Sequence, residues 1–268
     1  MTYKMKTRLR TLAGALVLVA LAVTASAGQL DTDAYARVLD HFVTAEGTVR
    51  YVALQAAPAD LDRTLARLAA TTTPELEAMP EDDRIAFWIN AYNAITLRTI
   101  IDHYPIRATG GLSALRYPSS SIRQISGAWS DRDWVVAGRK MSLDDIEHDT
   151  LRKRFDDPRV HMALVCAAVG CPPLRTEPYE GDRLDEQLDD QARRYLASPA
   201  GLRVEKGGRE VAVSAIFKWF DDDFDSAGGV RGFLARHAPD AARTALARRK
   251  TKITYLDYDW SLNEVQAD

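Results

Sequence analysis

The segment from Glu81 to His103 constrains the fold of this chain more than any other. Apolar residues recur along it at helical spacing and also fill the positions between, so that a helix here is apolar nearly all round. Such a helix has no face for water and must be covered by the rest of the chain. Pro105 predicts where it ends. The sequence therefore predicts a domain built around a buried central helix.

Two asparagines, Asn90 and Asn93, lie inside this segment one helical turn apart. Amide side chains lower helix propensity, and they must find hydrogen-bond partners when they are buried. They either brace neighbouring loops or orient a binding site. Both interpretations stay open, and the second makes Asn90 and Asn93 candidate binding residues.

The first 27 residues have the pattern of a secretory signal peptide. Four basic residues precede an apolar segment from Leu12 to Val23, and Ala25-Ser-Ala27 has the small residues of a cleavage site. We predict cleavage near Ala27 and export to the periplasm or the extracellular space. The apolar segment is shorter than the roughly 20 residues of a membrane span, and no later stretch reaches that length. The mature protein is predicted to have no membrane span.

Charge and length narrow the class of protein further. Removal of four basic residues takes the formal net charge from −3 to about −7, which argues against a nucleic-acid or anionic-membrane surface. Residues 28–268 suffice for one domain with its own core. Regular strand-helix alternation and a glycine-rich phosphate loop are both missing, so a doubly wound sheet is not predicted. No cofactor is predicted. We predict a single α+β domain with a buried central helix, short and mostly antiparallel strands, and peripheral helices.

The run from Val160 to Cys166 is apolar at both parities, which predicts a strand covered on both faces. Gly170-Cys-Pro-Pro173 follows, and its glycine and prolines predict a turn there. Cys166 is thus expected at the strand end and Cys171 in the turn. Strand ends and their loops are common positions for reactive groups.

A helix is predicted from Ser142 to Phe155, because Ser142-Leu-Asp-Asp145 has the spacing of a capping box. On that helix Glu147 falls near the centre of the apolar face and His148 at its edge. A buried carboxylate needs a cation or a polar partner. Glu147 is therefore predicted to face the interior, in either a structural pair or a catalytic site.

Two further segments are marked by composition. Residues 107–130 are rich in Gly, Ser and Pro and predict a long loop, which we expect to form a rim or lid beside Cys166. Asp221, Asp223 and Asp225 resemble the first half of a calcium loop, but Ser226 and Gly232 replace its required Gly and Glu. This acidic run is interpreted as a solvated loop or helix cap.

Three interpretations of the two cysteines remain open. They form a structural disulfide, which suits an exported chain, or they bind a metal with His148 and His161, although the spacing fits no zinc pattern. The third is a thiol nucleophile at Cys166 with a histidine base and an acidic or amide residue that orients it. By strand parity His161 cannot touch Cys166, so His148 is the preferred base. No metal site is predicted.

Four long motifs and one later segment resemble the family called domain of unknown function 547. They are Phe87-Trp-Ile-Asn-Ala-Tyr-Asn93, the Ser-Leu-x-x-Ile-Glu-His run at 142–148, Asp157-Pro-Arg-Val-His-Met-Ala-Leu-Val-Cys166, Gly170-Cys-Pro-Pro-Leu-Arg175, and Ile216-Phe-Lys-Trp-Phe with Asp223-Phe. The resemblance covers about residues 84–224 and implies a mixed α and β domain whose motifs emphasise a set of site positions. These positions are Asn90, Asn93, Glu147, His148 and Cys166.

The resemblance also bears on the cysteines. Members that resemble the plant branch of the family keep the first Cys and the Glu-His pair but have Ser at the second Cys. This implies that a disulfide is not obligatory and favours Cys166 over Cys171 as a nucleophile. The present chain departs from many members, because Ala-Ala-Val-Gly follows Cys166 where they have Gly-Ala-Arg-Ser. Any role of that Arg is missing here.

Two functions of different classes follow from these residues. The first is a cysteine-dependent hydrolase or acyl transferase that acts on an amide, peptide or thioester, with Cys166 as nucleophile, His148 as base, Glu147 as its partner, and His161 among the binding residues. Its partner is then a small-molecule or peptide substrate of unknown identity. The alternative is a non-catalytic binding or scaffolding domain with a structural Cys166–Cys171 disulfide.

Overall fold

The structure is a computed structural model that describes residues 32–108 and 110–265. The predicted central helix lies at its core. It spans Glu81–His103, and sixteen of its 23 residues are buried. The described helices are α1 Asp33–Phe42, α2 Tyr51–Ala56, α3 Ala59–Ala70, α4 Thr73–Glu77, α5 Glu81–His103, α6 Gly111–Arg116, α7 Arg152–Arg154, α8 Val160–Ala163, α9 Leu184–Ala197, α10 Ile216–Trp219, α11 Gly229–His237 and α12 Asp240–Leu246.

The strands are short and form two small sheets. They are β1 Trp134–Val136, β2 Arg139–Met141, β3 Leu202–Glu205, β4 Glu210–Val213 and β5 Lys252–Tyr255. Hairpins β1–β2 and β3–β4 are antiparallel, whereas β5 pairs parallel to β4. The structure is thus a single α+β domain with mostly antiparallel strands, as predicted.

The apolar interior has two parts that meet near the segment after α8. The larger one surrounds α5 and includes α1, α3 and the β1–β2 hairpin. The smaller one lies beneath the three-stranded sheet and packs α9, α10 and α11 against β4. Met162 of α8 belongs to the smaller part, while Val160 and Ala163 belong to the larger. The segment that leads to Cys166 therefore runs along the junction of the two cores.

The strand predicted from Val160 to Cys166 is wrong. Val160–Ala163 is one helical turn, α8, and the chain is extended only from Leu164 onward. The buried amide of Asn93 binds Ala163 O and Val165 N–H, and so supplies hydrogen bonds that a neighbouring strand would otherwise make. Apolar residues on both faces fit this buried segment as well as a strand, which is why periodicity alone misassigned it.

The predicted helix after Ser142 is present, and it is wound more loosely than expected. Ser142 and Asp145 form the reciprocal capping contacts, with Ser142 N–H 2.8 Å from the Asp145 carboxylate and Asp145 N–H 3.1 Å from Ser142 Oγ. Asp145–Leu151 is a π-helix, which continues into α7. Glu147 is buried as predicted, at 9% exposure. Single π turns occur frequently at functional sites.

The predicted signal peptide, residues 1–27, lies outside the described residues, so the signal peptide and export stay predictions. Within residues 32–108 and 110–265, no helix combines the length and the hydropathy that a membrane crossing requires.

Candidate functional site

A cavity of about 290 Å³ opens where the two cores meet, and most of the predicted site residues line it. The central helix, the π-helix, α10, the segment 107–130 and the chain after β5 all contribute to its wall. The lining residues are Tyr92, Arg123, Trp129, Asp144, Glu147, His148, His161, Leu164, Cys166, Cys171, Ile216, Trp219, Phe220, Tyr258 and Trp260.

Aromatic rings form most of one wall. The Tyr258 ring lies 4.8 Å from Trp219 and 4.7 Å from Trp260, and Trp219 stacks on Trp260 at 5.9 Å. Trp129 contacts Trp260 edge to face at 6.3 Å. Trp219 is 48% exposed, although indole rings are usually well buried. The wall therefore presents free aromatic surface to whatever enters the cavity.

Arg123 fixes the segment 107–130, which contains helix α6 and is not the continuous loop that the sequence predicts, against this wall. Its guanidinium lies over the rings of Tyr117, Trp129 and Trp260 at 4.8, 5.3 and 5.0 Å, and it donates a hydrogen bond to the Tyr117 hydroxyl. No described residue forms an ion pair with Arg123. The expectation that this loop borders the Cys166 site is confirmed, because Arg123 and Trp129 line the same cavity as Cys166.

Glu147 places a carboxylate in the cavity wall. The Tyr92 hydroxyl donates a hydrogen bond to it and accepts one from the Trp129 indole. Burial, and then the negative charge of Glu147, raise the pKa of Tyr92 well above its ordinary value, so Tyr92 remains a donor. Among the described residues no cation forms an ion pair with Glu147. The site thus holds a nearly buried carboxylate without a direct cationic partner.

His148 lies at the rim and is tied to the scaffold. Its Nδ1 is 3.0 Å from the Arg152 guanidinium, and its Nε2 is 3.7 Å from Asp144. Arginine can only donate, so Nδ1 is the acceptor and the proton of the neutral ring is on Nε2. In this tautomer Nε2 has no lone pair to accept a proton from Cys166. The geometry is therefore unfavourable for the predicted base.

His161 and Asp223 form a polar pair behind Phe220, in which the His161 side chain is buried and the Asp223 side chain is partly exposed. His161 Nε2 is 2.7 Å from the Asp223 carboxylate, which also accepts two hydrogen bonds from Arg152. The His161 ring stacks on Phe220 at 4.2 Å. The hydrogen bond from His161, followed by the one from Arg152, holds the pKa of Asp223 well below its ordinary value. The predicted solvated loop or helix cap does not describe Asp223, which is partly exposed and paired with His161 and Arg152.

Asp223→Asn is expected to reduce stability by about 2 kcal/mol at pH 7, allowing for solvent screening of a partly exposed carboxylate. A carboxyl with a depressed folded-state pKa stabilises above its unfolded pKa of about 4, and that contribution is lost as the pH falls further. The difference in unfolding free energy between the variant and the native protein should therefore shrink below pH 4, as measured by urea unfolding at several pH values. Asp225→Asn, at an exposed position, is the control. A difference in unfolding free energy between Asp223→Asn and the native protein that stays constant down to pH 2 would contradict the assignment of an ionised carboxylate to Asp223.

Cys166 and Cys171 form a disulfide in the wall of the cavity. The Tyr258 hydroxyl lies 3.0 Å from Cys171 Sγ and 3.2 Å from Cys166 Sγ, and the Cys166 N–H is 2.9 Å from Cys171 Sγ. Of the interpretations left open by the sequence, the structure has the disulfide. No group of three His, Cys, Asp or Glu side chains able to hold a metal occurs within residues 32–108 and 110–265.

Asn90 and Asn93 brace backbone segments. The Asn90 amide donates to Tyr179 O at 2.8 Å and accepts from Tyr179 N–H at 2.9 Å. The Asn93 amide donates to Ala163 O at 3.0 Å and accepts from Val165 N–H at 2.9 Å. Neither lines the cavity, but Asn93 fixes the residue that precedes the disulfide. Asn93 thus positions the site without contacting its contents.

The aromatic wall and Arg123 were not predicted as site residues. Trp129, Trp219 and Trp260 are separated by up to 131 positions, so no local spacing connects them. A usable sequence feature is the Ile216-Phe-Lys-Trp-Phe run, in which one helical turn buries Ile216 and Phe217 and leaves Trp219 exposed.

Comparison with known proteins identifies one family. Residues 76–196 match the family model described as "Protein of unknown function, DUF547". No curated protein and no solved structure matches the chain. The matched segment contains α5, the π-helix and both cysteines, and ends before Trp219, Tyr258 and Trp260.

Proposed function

This chain belongs, through its segment 76–196, to the DUF547 family of proteins of unknown function, and for it we propose binding of a small organic cation in the aromatic cavity. The observation that supports this most is the Glu147 carboxylate, nearly buried beside aromatic rings and without an ion pair to a described residue. A buried carboxylate is costly unless a cation or several donors compensate it. An ammonium or guanidinium group of a ligand would provide that compensation.

The aromatic wall suits the rest of such a ligand. Aromatic faces attract cations and also pack against apolar rings, and the interaction is strongest where water is excluded. Trp219 and Tyr258 offer faces in the same cavity as Glu147. A volume of about 290 Å³ limits the ligand to roughly one ring with a short side chain. The proposed ligand is therefore a small amine with an apolar or aromatic part.

Three probes that share one ring and differ in charge test this proposal. Phenethylamine, 2-phenylethanol and phenylacetate can be titrated against tryptophan fluorescence, since three of the five tryptophans line the cavity. We expect the amine to bind most tightly, the alcohol about 30-fold more weakly, and the carboxylate most weakly, because Glu147 attracts the first and repels the last. Preference for the carboxylate would make Arg123 the polar anchor and overturn the proposal.

The aromatic part of the proposal has its own control. Trp219→Ala removes an exposed ring from the wall and should weaken all three probes by about tenfold, and the amine at least as much as the other two. Trp134→Ala removes a ring that lies in β1 away from the cavity and should leave the affinities unchanged. Equal effects of the two substitutions would mean that the probes do not bind in this cavity.

A cysteine-dependent hydrolase or acyl transferase is the second candidate, because Cys166 shares the cavity with His148 and Glu147. Its nucleophile exists only after reduction of the disulfide, and His148 must exchange its tautomer. Labelling of the reduced protein with iodoacetamide tests this candidate. Strong slowing of Cys166 labelling by His148→Ala near neutral pH would favour it, while equal rates would exclude His148 as its base.

The proposed place of action is an oxidising compartment outside the cytoplasm. The signal-like pattern of residues 1–27 supports export. The disulfide supports it independently, since disulfides persist in the periplasm and outside the cell. Edman sequencing of the exported protein should begin at Gly28, and a start at Met1 would count against the signal peptide.

A further inference from the structure

We propose that the Cys166–Cys171 disulfide undergoes exchange with a small thiol that enters the cavity, with Cys166 as the sulfur attacked and Cys171 as the sulfur that leaves. This reaction is independent of the binding of a cation. It follows from three features of the disulfide, which are its access from the cavity, the donors around one of its sulfurs, and the way those donors are held.

The two cysteines differ in access. Both line the cavity, but Cys166 is half-buried, whereas Cys171 is only 6% exposed and packs in the larger core. A thiolate must reach the sulfur that it attacks along the S–S axis, so the better exposed sulfur is the favoured target. Access from the cavity thus selects Cys166.

The two sulfurs also differ in hydrogen bonding. Cys171 Sγ alone receives the Cys166 N–H, at 2.9 Å, and the Tyr258 O–H lies nearer to it, at 3.0 Å, than to Cys166 Sγ, at 3.2 Å. Disulfide sulfurs have no hydrogen, so Tyr258 is necessarily the donor. Hydrogen bonds to a thiolate lower its pKa and make it a better leaving group. The two donors therefore favour a negative charge on Cys171.

The donors are held in place before any reaction. Val169 N–H binds Ser261 O and Gly170 N–H binds Asp259 O, both at 2.8 Å, which fixes the turn before Cys171 to the segment that carries Tyr258. Burial raises the pKa of Tyr258 well above its ordinary value, so its hydroxyl keeps its proton at neutral pH. Stabilisation of the departing thiolate thus requires little rearrangement.

The exchange balances as follows. The thiolate of the small thiol forms a bond to Cys166 Sγ, the Cys166–Cys171 bond breaks, and its electron pair leaves on Cys171 Sγ as a thiolate. A second thiolate then attacks the small thiol's sulfur in the mixed disulfide and releases Cys166. In total two small thiols are oxidised to their disulfide, and the protein disulfide is reduced to two thiols.

Mapping of the mixed disulfide tests the direction of attack. The purified oxidised protein is incubated with 2-mercaptoethanol, quenched with acid, alkylated and digested for mass spectrometry. We expect the mercaptoethanol adduct on Cys166 and the alkyl group on Cys171. An adduct found mainly on Cys171, equally on both cysteines, or only after denaturation would overturn the proposal.

Tyr258→Phe tests the role of the leaving-group donor. Loss of one hydrogen bond to the developing thiolate should slow the exchange by about fivefold. Tyr255→Phe is the control, because the Tyr255 ring is half-exposed on β5 and does not line the cavity. An unchanged rate in Tyr258→Phe would contradict the proposed stabilisation of Cys171. Urea unfolding of both variants checks that neither rate reflects a loosened fold.

Discussion

Asn93→Ala is expected to lower the free energy of unfolding by about 3–5 kcal/mol. The substitution leaves the N–H of Val165 and the carbonyl of Ala163 buried without partners, and each orphaned group costs about 1–3 kcal/mol. It also releases the segment that leads to the disulfide. Urea unfolding followed by circular dichroism measures the loss, and probe titration should show weaker binding in the same variant.

Asn90→Ala is the matched control for this prediction. Asn90 makes the same pair of contacts with the backbone of Tyr179, so its removal should cost a similar free energy. Tyr179 does not line the cavity, and probe affinity and thiol exchange should stay near the native values. Equal functional losses in the two variants would show that Asn93 has no special role in positioning the site.

Glu147→Gln is expected to reduce the affinity for phenethylamine by about 30-fold. The amide keeps the shape of the side chain and an oxygen for the Tyr92 hydroxyl, but it removes the charge that pairs with the ammonium. A charge-assisted hydrogen bond contributes about 2 kcal/mol, which corresponds to that factor. Fluorescence titration measures the change.

The same substitution should not destabilise the protein. A buried carboxylate without a direct cationic partner costs free energy, so Gln at this position is expected to be neutral or stabilising by about 1 kcal/mol in urea unfolding. Glu186→Gln removes the same charge from an exposed position on α9. It should change neither the free energy of unfolding nor the affinity for phenethylamine. Marked destabilisation by Glu147→Gln would indicate that Glu147 is a structural residue.

The elements whose patterns lie within one segment could be predicted from the sequence. The central helix follows from a run of apolar residues that only burial can accommodate, and its structure agrees from Glu81 to His103. The cap formed by Ser142 and Asp145 is local, and so is the burial of Glu147. These features depend on neighbours within a few turns, which is the range that sequence patterns describe.

The features that depend on distant residues could not be predicted. Val160–Ala163 is a helical turn, and no described strand pairs with the backbone directly after it. The Asn93 amide, some 70 positions earlier, instead donates to Ala163 O and accepts from Val165 N–H. The acidic residue Asp223 is paired with His161 and Arg152, which no local pattern indicates. Tertiary contacts of this kind override local preference.

The candidate site was predicted only in part, because its residues come from segments that are distant in the sequence. Glu147, His148 and Cys166 were selected from their own segments, and the structure brings them into one cavity. The tryptophans of the aromatic wall come from segments that are far apart in the sequence. Only the fold brings Trp129 into contact with Trp260. The partner of Cys166 was left open, because spacing cannot distinguish a reactive thiol from a disulfide.

The most direct measurement of the central claim is the difference in binding free energy between phenethylamine and 2-phenylethanol, determined for the native protein and for Glu147→Gln. The two probes differ only in the group that is proposed to meet the Glu147 carboxylate. We predict that the preference for the amine in the native protein falls to nearly zero in the variant, while the alcohol binds both proteins alike. An amine preference of the same size in both proteins would contradict the assignment of Glu147 as the anchor of a cation site.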